Sequence, residues 1–365
     1  DENNESIYCR TLLVYTDNEL WIGTESGVYI YNLRTEKYTH LRSSEYDPYS
    51  LSDNAIYSFC KDREDGIWIG SYFGGVNYYP RSYTYFEKYY PKGIENSLHG
   101  KRVREFCRDS QGILWIGTED GGLNRFNLKT KDFSFFAPSA GFTNIHGLCL
   151  VDDKLWVGTF SKGLKVIDTR SGVVLKTYQK NDSPRSLIDN SIFAICRTAT
   201  GDIYLGTMFG LVKYNKQSDD FDRIPELNGK FVYDIKEDSG GNIWLATYAN
   251  GAYCYNVNDR KWKNYVHDDK DNTSLPYNKV SSVFEDSHRQ IWLTTQGGGF
   301  CIFHPESETF TSYNSTNGLP SDVVYQIVED KDGFFWLTTN NGLVCFQPTT
   351  GTMKVYTTSN GLLGD

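Results

Sequence analysis

Short apolar segments alternate with polar turns along the whole chain. The apolar segments are only a few residues long, are rich in aromatic and β-branched residues, and are bounded by Gly, Asn, Asp or Ser. This pattern is typical of short antiparallel strands. None of the segments keeps the period of an amphipathic helix. The chain is therefore predicted to be all-β.

One apolar segment recurs eight times together with the turn that follows it. The copies LWIGTEDGG at 114–122 and IWLATYANG at 243–251 show the shared pattern. An aromatic residue anchors every copy, and the anchors are Trp21, Trp68, Trp115, Trp156, Tyr204, Trp244, Trp292 and Trp336. The spacing of these anchors corresponds to a period of about 45 residues, which indicates a repeat architecture.

Each repeat contains four such segments. In the third repeat they are VREFC at 103–107, the anchor segment, GLNRFN at 122–127, and a last segment that begins at Phe133. Four short strands per repeat are the signature of a β-propeller blade. The predicted blades lie near residues 6–42, 54–90, 101–137, 143–178, 191–224, 231–266, 279–314 and 323–356. The whole chain, 1–365, is expected to form one propeller region, with each anchor filling the space between neighbouring sheets.

Composition narrows the class of partner. The chain has 365 residues, with 37 Lys or Arg against 46 Asp or Glu, and a formal net charge of −9. It has no basic run, which argues against binding of nucleic acid or of an anionic membrane surface. No apolar run approaches the roughly 20 residues that span a bilayer. The sequence begins DENNESIY, so any signal peptide is expected to have been removed or to lie outside this chain.

The eight cysteines follow the repeat. Cysteine occupies one position on the first strand in four repeats: Cys60, Cys107, Cys149 and Cys196. It occupies another position, on the third strand, in three repeats: Cys254, Cys301 and Cys345. Cys9 stands apart. Equivalent positions in adjacent blades are about 10 Å apart, whereas a disulfide needs Cα atoms within about 7 Å. We therefore expect free thiols that serve as small buried packing residues.

Catalytic and metal-binding motifs are weak. The six histidines are scattered and are expected in solvated or loop positions. The acidic turns DREDG at 62–66 and EDKDG at 329–333 lack the downstream Glu of a calcium loop, so they are expected to be plain hairpin turns. The turns before the anchors are similar to the aspartate boxes of sialidase propellers, but no arginine cluster with a nucleophilic Tyr is evident. No enzyme activity, cofactor or metal is predicted.

Several offsets recur together from repeat to repeat. They include EDKDGFFWLTT at 329–339, NLKTKDF at 127–133, SLIDN at 186–190 and NGLPSD at 317–322. This combination resembles the two-component regulator propeller repeat and covers essentially the whole chain. The departures from the pattern are Tyr204 in place of Trp, a shortened turn at 151–154, and Ala246 or Thr294 where Gly is usual.

The resemblance implies a function. Such repeats form the periplasmic sensor region of hybrid two-component receptors that regulate glycan utilisation. In that family the region carries a second propeller and a β-sandwich, and the full receptor is expected to be a homodimer with a histidine kinase elsewhere. The family norm of seven blades leaves two alternatives for the eight repeats: a seven-bladed ring with one repeat left over, or an eight-bladed ring.

One residue per repeat, directly after the second strand, varies while its surroundings stay the same. These residues and their neighbours combine aromatic faces with polar groups, as a sugar site requires. The predicted ligand-binding residues are Tyr72, Phe73, Glu119, Asp120, Phe160, Phe209, Tyr248, Gln296 and Asn340. The expected ligand is an oligosaccharide, and Lys162, Arg185 and Lys279 are candidates to meet an acidic sugar.

A second function class stays open. The propeller is alternatively a structural and dimerisation scaffold, with the sugar bound by another part of the receptor. An exposed apolar strip with Trp262 and Tyr265 outward would favour the scaffold, whereas an aromatic-lined channel mouth would favour direct binding.

Overall fold

The computed structural model describes residues 7–47, 49–63, 65–80, 86–136 and 142–364. In these ranges the protein consists of 31 β-strands and three short 3-10 helices, Pro225–Leu227, Ser315–Asn317 and Thr358–Asn360. None of the helices in these ranges is long and apolar enough to cross a membrane. The prediction of an all-β chain is confirmed.

The chain divides into two compact units, and the first contains residues 1–87 and 92–94. Its strands form two sheets: β1 (Cys9–Thr16), β2 (Glu19–Thr24), β3 (Gly27–Asn32) and β4 (Lys37–Leu41), then β5 (Ile56–Lys61), β6 (Ile67–Ser71) and β7 (Val76–Tyr79). The fourth strand predicted for the second sheet involves residues 81–85, which lie outside the described ranges.

The second unit contains residues 88–91 and 95–365 and has six four-stranded sheets. Its first three sheets comprise β8 (Val103–Arg108), β9 (Ile113–Thr118), β10 (Gly122–Asn127), β11 (Phe133–Phe136), β12 (Ile145–Val151), β13 (Lys154–Thr159), β14 (Leu164–Asp168), β15 (Val174–Tyr178), β16 (Ile192–Arg197), β17 (Ile203–Thr207), β18 (Gly210–Asn215) and β19 (Asp220–Arg223). The other three comprise β20 (Val232–Glu237), β21 (Ile243–Thr247), β22 (Ala252–Asn256), β23 (Lys261–Tyr265), β24 (Val280–Glu285), β25 (Ile291–Thr295), β26 (Phe300–His304), β27 (Thr309–Tyr313), β28 (Val324–Glu329), β29 (Phe335–Thr339), β30 (Leu343–Gln347) and β31 (Thr352–Tyr356).

Each sheet is an antiparallel meander whose strands are in chain order. Within the second unit, the first strands of successive sheets lie against one another, from β8 through β12, β16, β20 and β24 to β28. The first strand is therefore the innermost strand, as in a propeller blade. Eight sheets correspond to the eight sequence repeats, so the β-propeller fold class is confirmed.

In five blades the anchor Trp and an Asp six residues before it fix the turn between the first two strands. In the third blade, Asp109 accepts hydrogen bonds from the N–H groups of Gln111 and Ile113, and from Trp115 Nε1 at 3.0 Å. The same Asp–Trp bond joins Asp62 to Trp68, Asp238 to Trp244, Asp286 to Trp292, and Asp330 to Trp336. The acidic segments are therefore hairpin turns, as predicted; Glu64 of the first one lies outside the described ranges.

The anchors are not uniformly buried. Trp21, Trp115, Trp156, Trp244 and Trp292 are buried, as predicted for core residues. Tyr204 and Trp336 are half-buried, and Trp68 is 46% exposed. The prediction that every anchor is core is therefore wrong for Trp68, whose indole lies beside the ring of Tyr78.

Glycine on the second strand allows close contact between blades. A Cβ on Gly117 would lie 2.6 Å from Ile145 of the next blade, and one on Gly158 would lie 2.7 Å from Ile192. Real Cβ atoms do not approach so closely, so these positions of the anchor segment require Gly because of packing.

The cysteines are all free, as predicted. Their expected burial is only partly correct: Cys254 and Cys301 are buried, whereas Cys9 and Cys60 are exposed. Burial raises the pKa of the Cys107 and Cys149 thiols to about 11, which keeps these two thiols protonated and unreactive at neutral pH.

Candidate functional site

The innermost strand of every blade has a β-bulge at its second residue. In the third blade, for example, the pairing with the second strand shifts between Val103 and Glu105. The bulged residues are Arg10, Tyr57, Arg104, His146, Phe193, Tyr233, Ser281 and Tyr325. A bulge bends its strand and re-aims a side chain. Each bulged residue thus lies at the same edge of its own sheet.

The bulged positions were not among the predicted site residues, although the sequence carries a signal for them. The residue before the bulge is Ile or Val in seven repeats and Cys9 in the first. The bulged residue itself is cationic, aromatic, imidazole or hydroxyl, depending on the repeat. A constant apolar residue followed by a variable one marks a fixed backbone position that presents a changing side chain.

The residue directly after the second strand lies close to the bulged residue of the same blade. In seven blades its backbone N–H donates to the carbonyl two residues before the bulge. These bonds are Glu25 to Tyr8, Tyr72 to Ala55, Glu119 to Arg102, Phe160 to Asn144, Met208 to Ser191, Tyr248 to Phe231, and Gln296 to Lys279. In each blade the bulged residue and the residue directly after the second strand form a two-residue element, which we call the edge pair.

The first unit carries an aromatic patch at this edge. The rings of Tyr57 and Tyr72 stack with centroids 5.1 Å apart, and Phe73 packs edge-on against Tyr72 at 4.4 Å. Arg10 pairs with Glu25, and its guanidinium lies 5.2 Å from the Tyr57 ring. Phe73 is 86% exposed, so this patch offers an open apolar face to solvent.

Arg104 connects three blades of the second unit. Its Nε lies 3.4 Å from Glu119 Oε1 of the same blade. One terminal nitrogen donates to His146 Nδ1 at 3.2 Å and to the Tyr233 hydroxyl at 3.1 Å. Because Tyr233 is 129 residues away in the sixth blade, the guanidinium bridges non-adjacent blades near the axis of the unit.

An aromatic row extends from Arg104 along the same edge. His146 packs against Phe193 at 4.7 Å, and Phe193 packs against Phe231 at 4.4 Å. Phe231 in turn stacks on Tyr248 at 5.3 Å. The row ends where the ammonium group of Lys279 lies 4.2 Å from the Tyr248 ring centroid, while Phe160 flanks Phe193 at 6.1 Å. Arg104, Glu119, His146, Phe160, Phe193, Phe231, Tyr233, Tyr248 and Lys279 are called the edge cluster below.

His146 is a neutral member of this cluster. It is buried, which corrects the expectation that all six histidines are solvated or in loops. Burial, followed by the positive charge of Arg104, lowers its pKa to about 4. Because Nδ1 accepts from Arg104, the proton is assigned to Nε2, which donates to Asn144 Oδ1 at 2.8 Å. The ring is therefore uncharged and fixed in one tautomer at neutral pH.

Two carboxyl groups follow the bulges of the third and sixth blades. Burial, and then the nearby charge of Asp234, raises the pKa of Glu105 to about 8. Burial also raises the pKa of Asp234, although the N–H groups of Val283 and Ile235 stabilise its ionised form.

No group of three or more metal-ligating side chains occurs within the described ranges.

Only part of the predicted site comes together. Glu119, Phe160 and Tyr248 belong to the edge cluster, whereas Tyr72 and Phe73 form the separate patch of the first unit. The carboxylate of Asp120 instead accepts backbone N–H groups of Lys101 and Arg102, so it builds its loop. The remaining predicted residues lie after the second strands of their own blades. Phe209 and Asn340 are exposed, and Gln296 is half-buried.

The three cations predicted to meet an acidic sugar lie in different surroundings. Lys279 covers Tyr248 in the edge cluster. Arg185 forms ion pairs with Asp220 and Asp222 of the fifth blade instead. Lys162 is bound through its backbone N–H to Thr159 Oγ1, which shapes the loop.

Comparison with known proteins agrees with this architecture. Repeated four-stranded meanders with a variable edge pair define a β-propeller repeat protein. Four segments, 50–73, 97–120, 226–249 and 318–341, match the profile of the two-component regulator propeller family. The chain therefore carries two-component regulator propeller repeats, and the resemblance drawn from its motifs is confirmed.

Two similar proteins carry names from two-component signalling. The extracellular domain assigned to the hybrid two-component system BT3049 of B. thetaiotaomicron is 26% identical and has a TM-score of 0.53; the match covers 97% of this chain and 46% of that domain. Histidine kinase P4 of Formosa agariphila is 28% identical over 239 residues, which are 61% of this chain and 17% of the kinase. The chain thus spans less than half the length of either relative.

A third comparison concerns the fold alone. PorZ of Porphyromonas gingivalis, a surface component of a type-IX secretion system, has a TM-score of 0.58 at 14% identity. The match covers 97% of this chain and 53% of PorZ. At this identity the similarity shows a common fold and nothing about a shared function.

Proposed function

We propose that this chain is a non-catalytic sensor propeller in the periplasmic part of a hybrid two-component receptor. The regulator propeller repeats and the similarity to an extracellular receptor domain support this assignment. The kinase that reads the signal would belong to another part of the receptor. A second propeller, a β-sandwich and a second copy of the receptor are the proposed protein partners.

We further propose that the edge cluster binds an oligosaccharide that regulates glycan utilisation. The observation that supports this proposal is that aromatic rings and charged groups from several blades lie together around Arg104. Flat aromatic rings cover the C–H faces of sugars, while charged and polar groups bind hydroxyls. Phe160 and Tyr248 supply partly exposed aromatic surface, and Glu119 and Lys279 supply polar groups.

The edge cluster is also preorganised. His146 and Phe193 are buried beneath the exposed rings, and their packing holds Phe160 in place. A fixed site loses less conformational entropy on binding than a flexible one, which strengthens binding.

The scaffold alternative gains no support from the fourth strand of the sixth blade. Trp262 is half-buried and packs against Tyr255 at 5.2 Å. Tyr265 stacks on Trp244 at 5.8 Å. Neither residue forms the exposed apolar strip that a dimerisation scaffold was expected to have.

The test is calorimetry of the full chain against a panel of defined oligosaccharides. The double variant Phe160→Ala/Tyr248→Ala should weaken binding about 30-fold or more, since each lost ring removes about 1 kcal/mol or more of apolar contact. The matched control is Tyr325→Ala, because Tyr325 is an exposed aromatic at the bulged position of the eighth blade. The control should bind like the wild type.

Two results would contradict the proposal. One is that no oligosaccharide of the panel binds the folded chain. The other is that the double variant, with an unchanged circular dichroism spectrum, binds as tightly as the Tyr325→Ala control. In either case the edge cluster is structural, and the scaffold alternative becomes the better one.

A further inference from the structure

The fourth and fifth blades enclose a groove on the sheet edge opposite the edge cluster. The groove has a volume of about 660 Å³ and is lined by the turn between β12 and β13, the turn between β16 and β17, and the end of β18. Ligand pockets for small molecules typically measure about 300–1,000 Å³. The groove therefore has the size of a small-molecule site.

The groove forms where the repeat pattern is broken twice. In the fourth blade the turn at 151–154 is shortened, so Leu150 stands six residues before Trp156, where five other blades have Asp. In the fifth blade Tyr204 replaces the anchor Trp. The shortened turn thus lacks the Asp that accepts the indole N–H of the anchor in those five blades.

Trp156 is consequently left with an unused donor. It is 95% buried and lines the groove, yet no residue of the described ranges accepts a hydrogen bond from its Nε1. In a corresponding groove between the sixth and seventh blades, of about 480 Å³, Trp244 Nε1 donates to Asp238 at 3.0 Å. This N–H faces the groove and bonds no group of the described ranges, so it is available to an oxygen of a ligand.

Aromatic rings are fixed beside this donor. Tyr214 packs edge-on against Trp156 at 5.0 Å, and Tyr178 lies parallel to it at 6.4 Å. Both tyrosine hydroxyls donate to Asp219 at 2.6 Å. Because these bonds hold both rings, the groove presents rigid aromatic surface next to a free N–H group.

The groove has surplus positive charge. Arg197 pairs with Asp152 at 3.1 Å, and Lys213 pairs with Asp202 at 2.8 Å. Two further lysines, Lys154 and Lys216, line the groove without an ion pair to any described residue. An anionic group on a ligand would therefore meet unneutralised cations here.

We propose that this groove binds a sugar that carries one acidic group. The indole N–H of Trp156 donates to an oxygen of the sugar, and Lys154 and Lys216 face the acidic group. The site is separate from the edge cluster and does not depend on the function proposed for it. Carboxylate and phosphate share the chemistry that the lysines recognise, so both are tested.

The experiment titrates the full chain with glucuronate, glucose 6-phosphate and glucose, and follows tryptophan fluorescence and heat. At least one acidic sugar should bind at least tenfold more tightly than glucose, and the tighter of the two identifies the acidic group. Lys154→Gln/Lys216→Gln should weaken its binding at least tenfold. Trp156→Phe should weaken it about two- to tenfold through the lost hydrogen bond.

Matched variants keep the result interpretable. Trp244→Phe makes the same change in the corresponding groove and should leave binding of the acidic sugar unchanged. Phe160→Ala/Tyr248→Ala should also leave it unchanged, which separates this site from the edge cluster. The proposal is overturned if neither acidic sugar binds, if glucose binds equally well, or if Lys154→Gln/Lys216→Gln binds like the wild type. The lysine variant changes only exposed side chains, so its folding is not at risk.

Discussion

Replacing Trp115 tests whether the anchors carry the stability of the blades. The side chain is completely buried and packs against Phe136 and the guanidinium of Arg125. Burying an aromatic side chain of 150–250 Å² contributes about 4–6 kcal/mol at 25 cal/mol per Å². Since Ala keeps a small part of this contact and neighbours relax only partly, Trp115→Ala should cost about 3–5 kcal/mol.

A second variant separates packing from hydrogen bonding. Trp115→Phe keeps an aromatic ring but loses the N–H that binds Asp109, so it should cost about 1–2 kcal/mol. Asp109 keeps its bonds to the N–H groups of Gln111 and Ile113, so the turn itself should persist. The two variants should therefore differ by at least about 1 kcal/mol.

The assay is equilibrium urea denaturation, followed by far-ultraviolet circular dichroism and by tryptophan fluorescence. Coincident transitions would justify a single free energy of unfolding for the chain. If Trp115→Ala and the wild type have the same urea midpoint and the same slope, Trp115 is not a core residue. Equal losses for the Ala and Phe variants would show instead that the Asp109 bond, and not packing, determines the effect.

Two further predictions concern single groups. Alkylation of the denatured, unreduced protein should label all eight cysteines by mass spectrometry, and two or more unlabelled pairs would show that disulfides exist. Because folding lowers the pKa of His146 from 6.5 to about 4, the unfolded chain binds the extra proton, and folding stability should fall as the pH drops from about 6.5 to 4. Relative to His146→Gln, the wild type should lose about 2–3 kcal/mol between pH 7 and pH 4, measured by urea denaturation. A constant difference between the two proteins over this range would contradict the assigned environment.

The fold was predictable because its signals are local and repeated. A strand of five residues, an Asp–Trp turn and a Gly that permits close contact each occupy a few neighbouring positions, as in 109–117. Each signal is weak in one repeat, but eight copies at matching offsets make the pattern specific. The exposure of Trp68 escaped this reasoning, since an anchor motif reports turn geometry and not what covers the ring.

The site was only partly predictable, for a geometric reason. Sequence variation identified Glu119, Phe160 and Tyr248, because each directly follows a constant strand end. The contact of Arg104 with Tyr233 depends on the angle between successive blades, which no local pattern encodes. The burial of His146 has the same origin, since the residues around it come from neighbouring blades.

The two edges of a blade differ in what a substitution costs. At the edge with the Asp–Trp turn, the Asp side chain itself holds the turn, so losing it also removes the acceptor of the anchor indole, as at Trp156. At the bulge edge, backbone bonds fix the edge pair whatever its side chains are, as the bond from Tyr248 N–H to Phe231 shows. Side chains there can change with little effect on folding. The bulge edge is therefore the surface on which specificity can diverge between related propellers, whereas a site at the turn edge requires a break in the repeat.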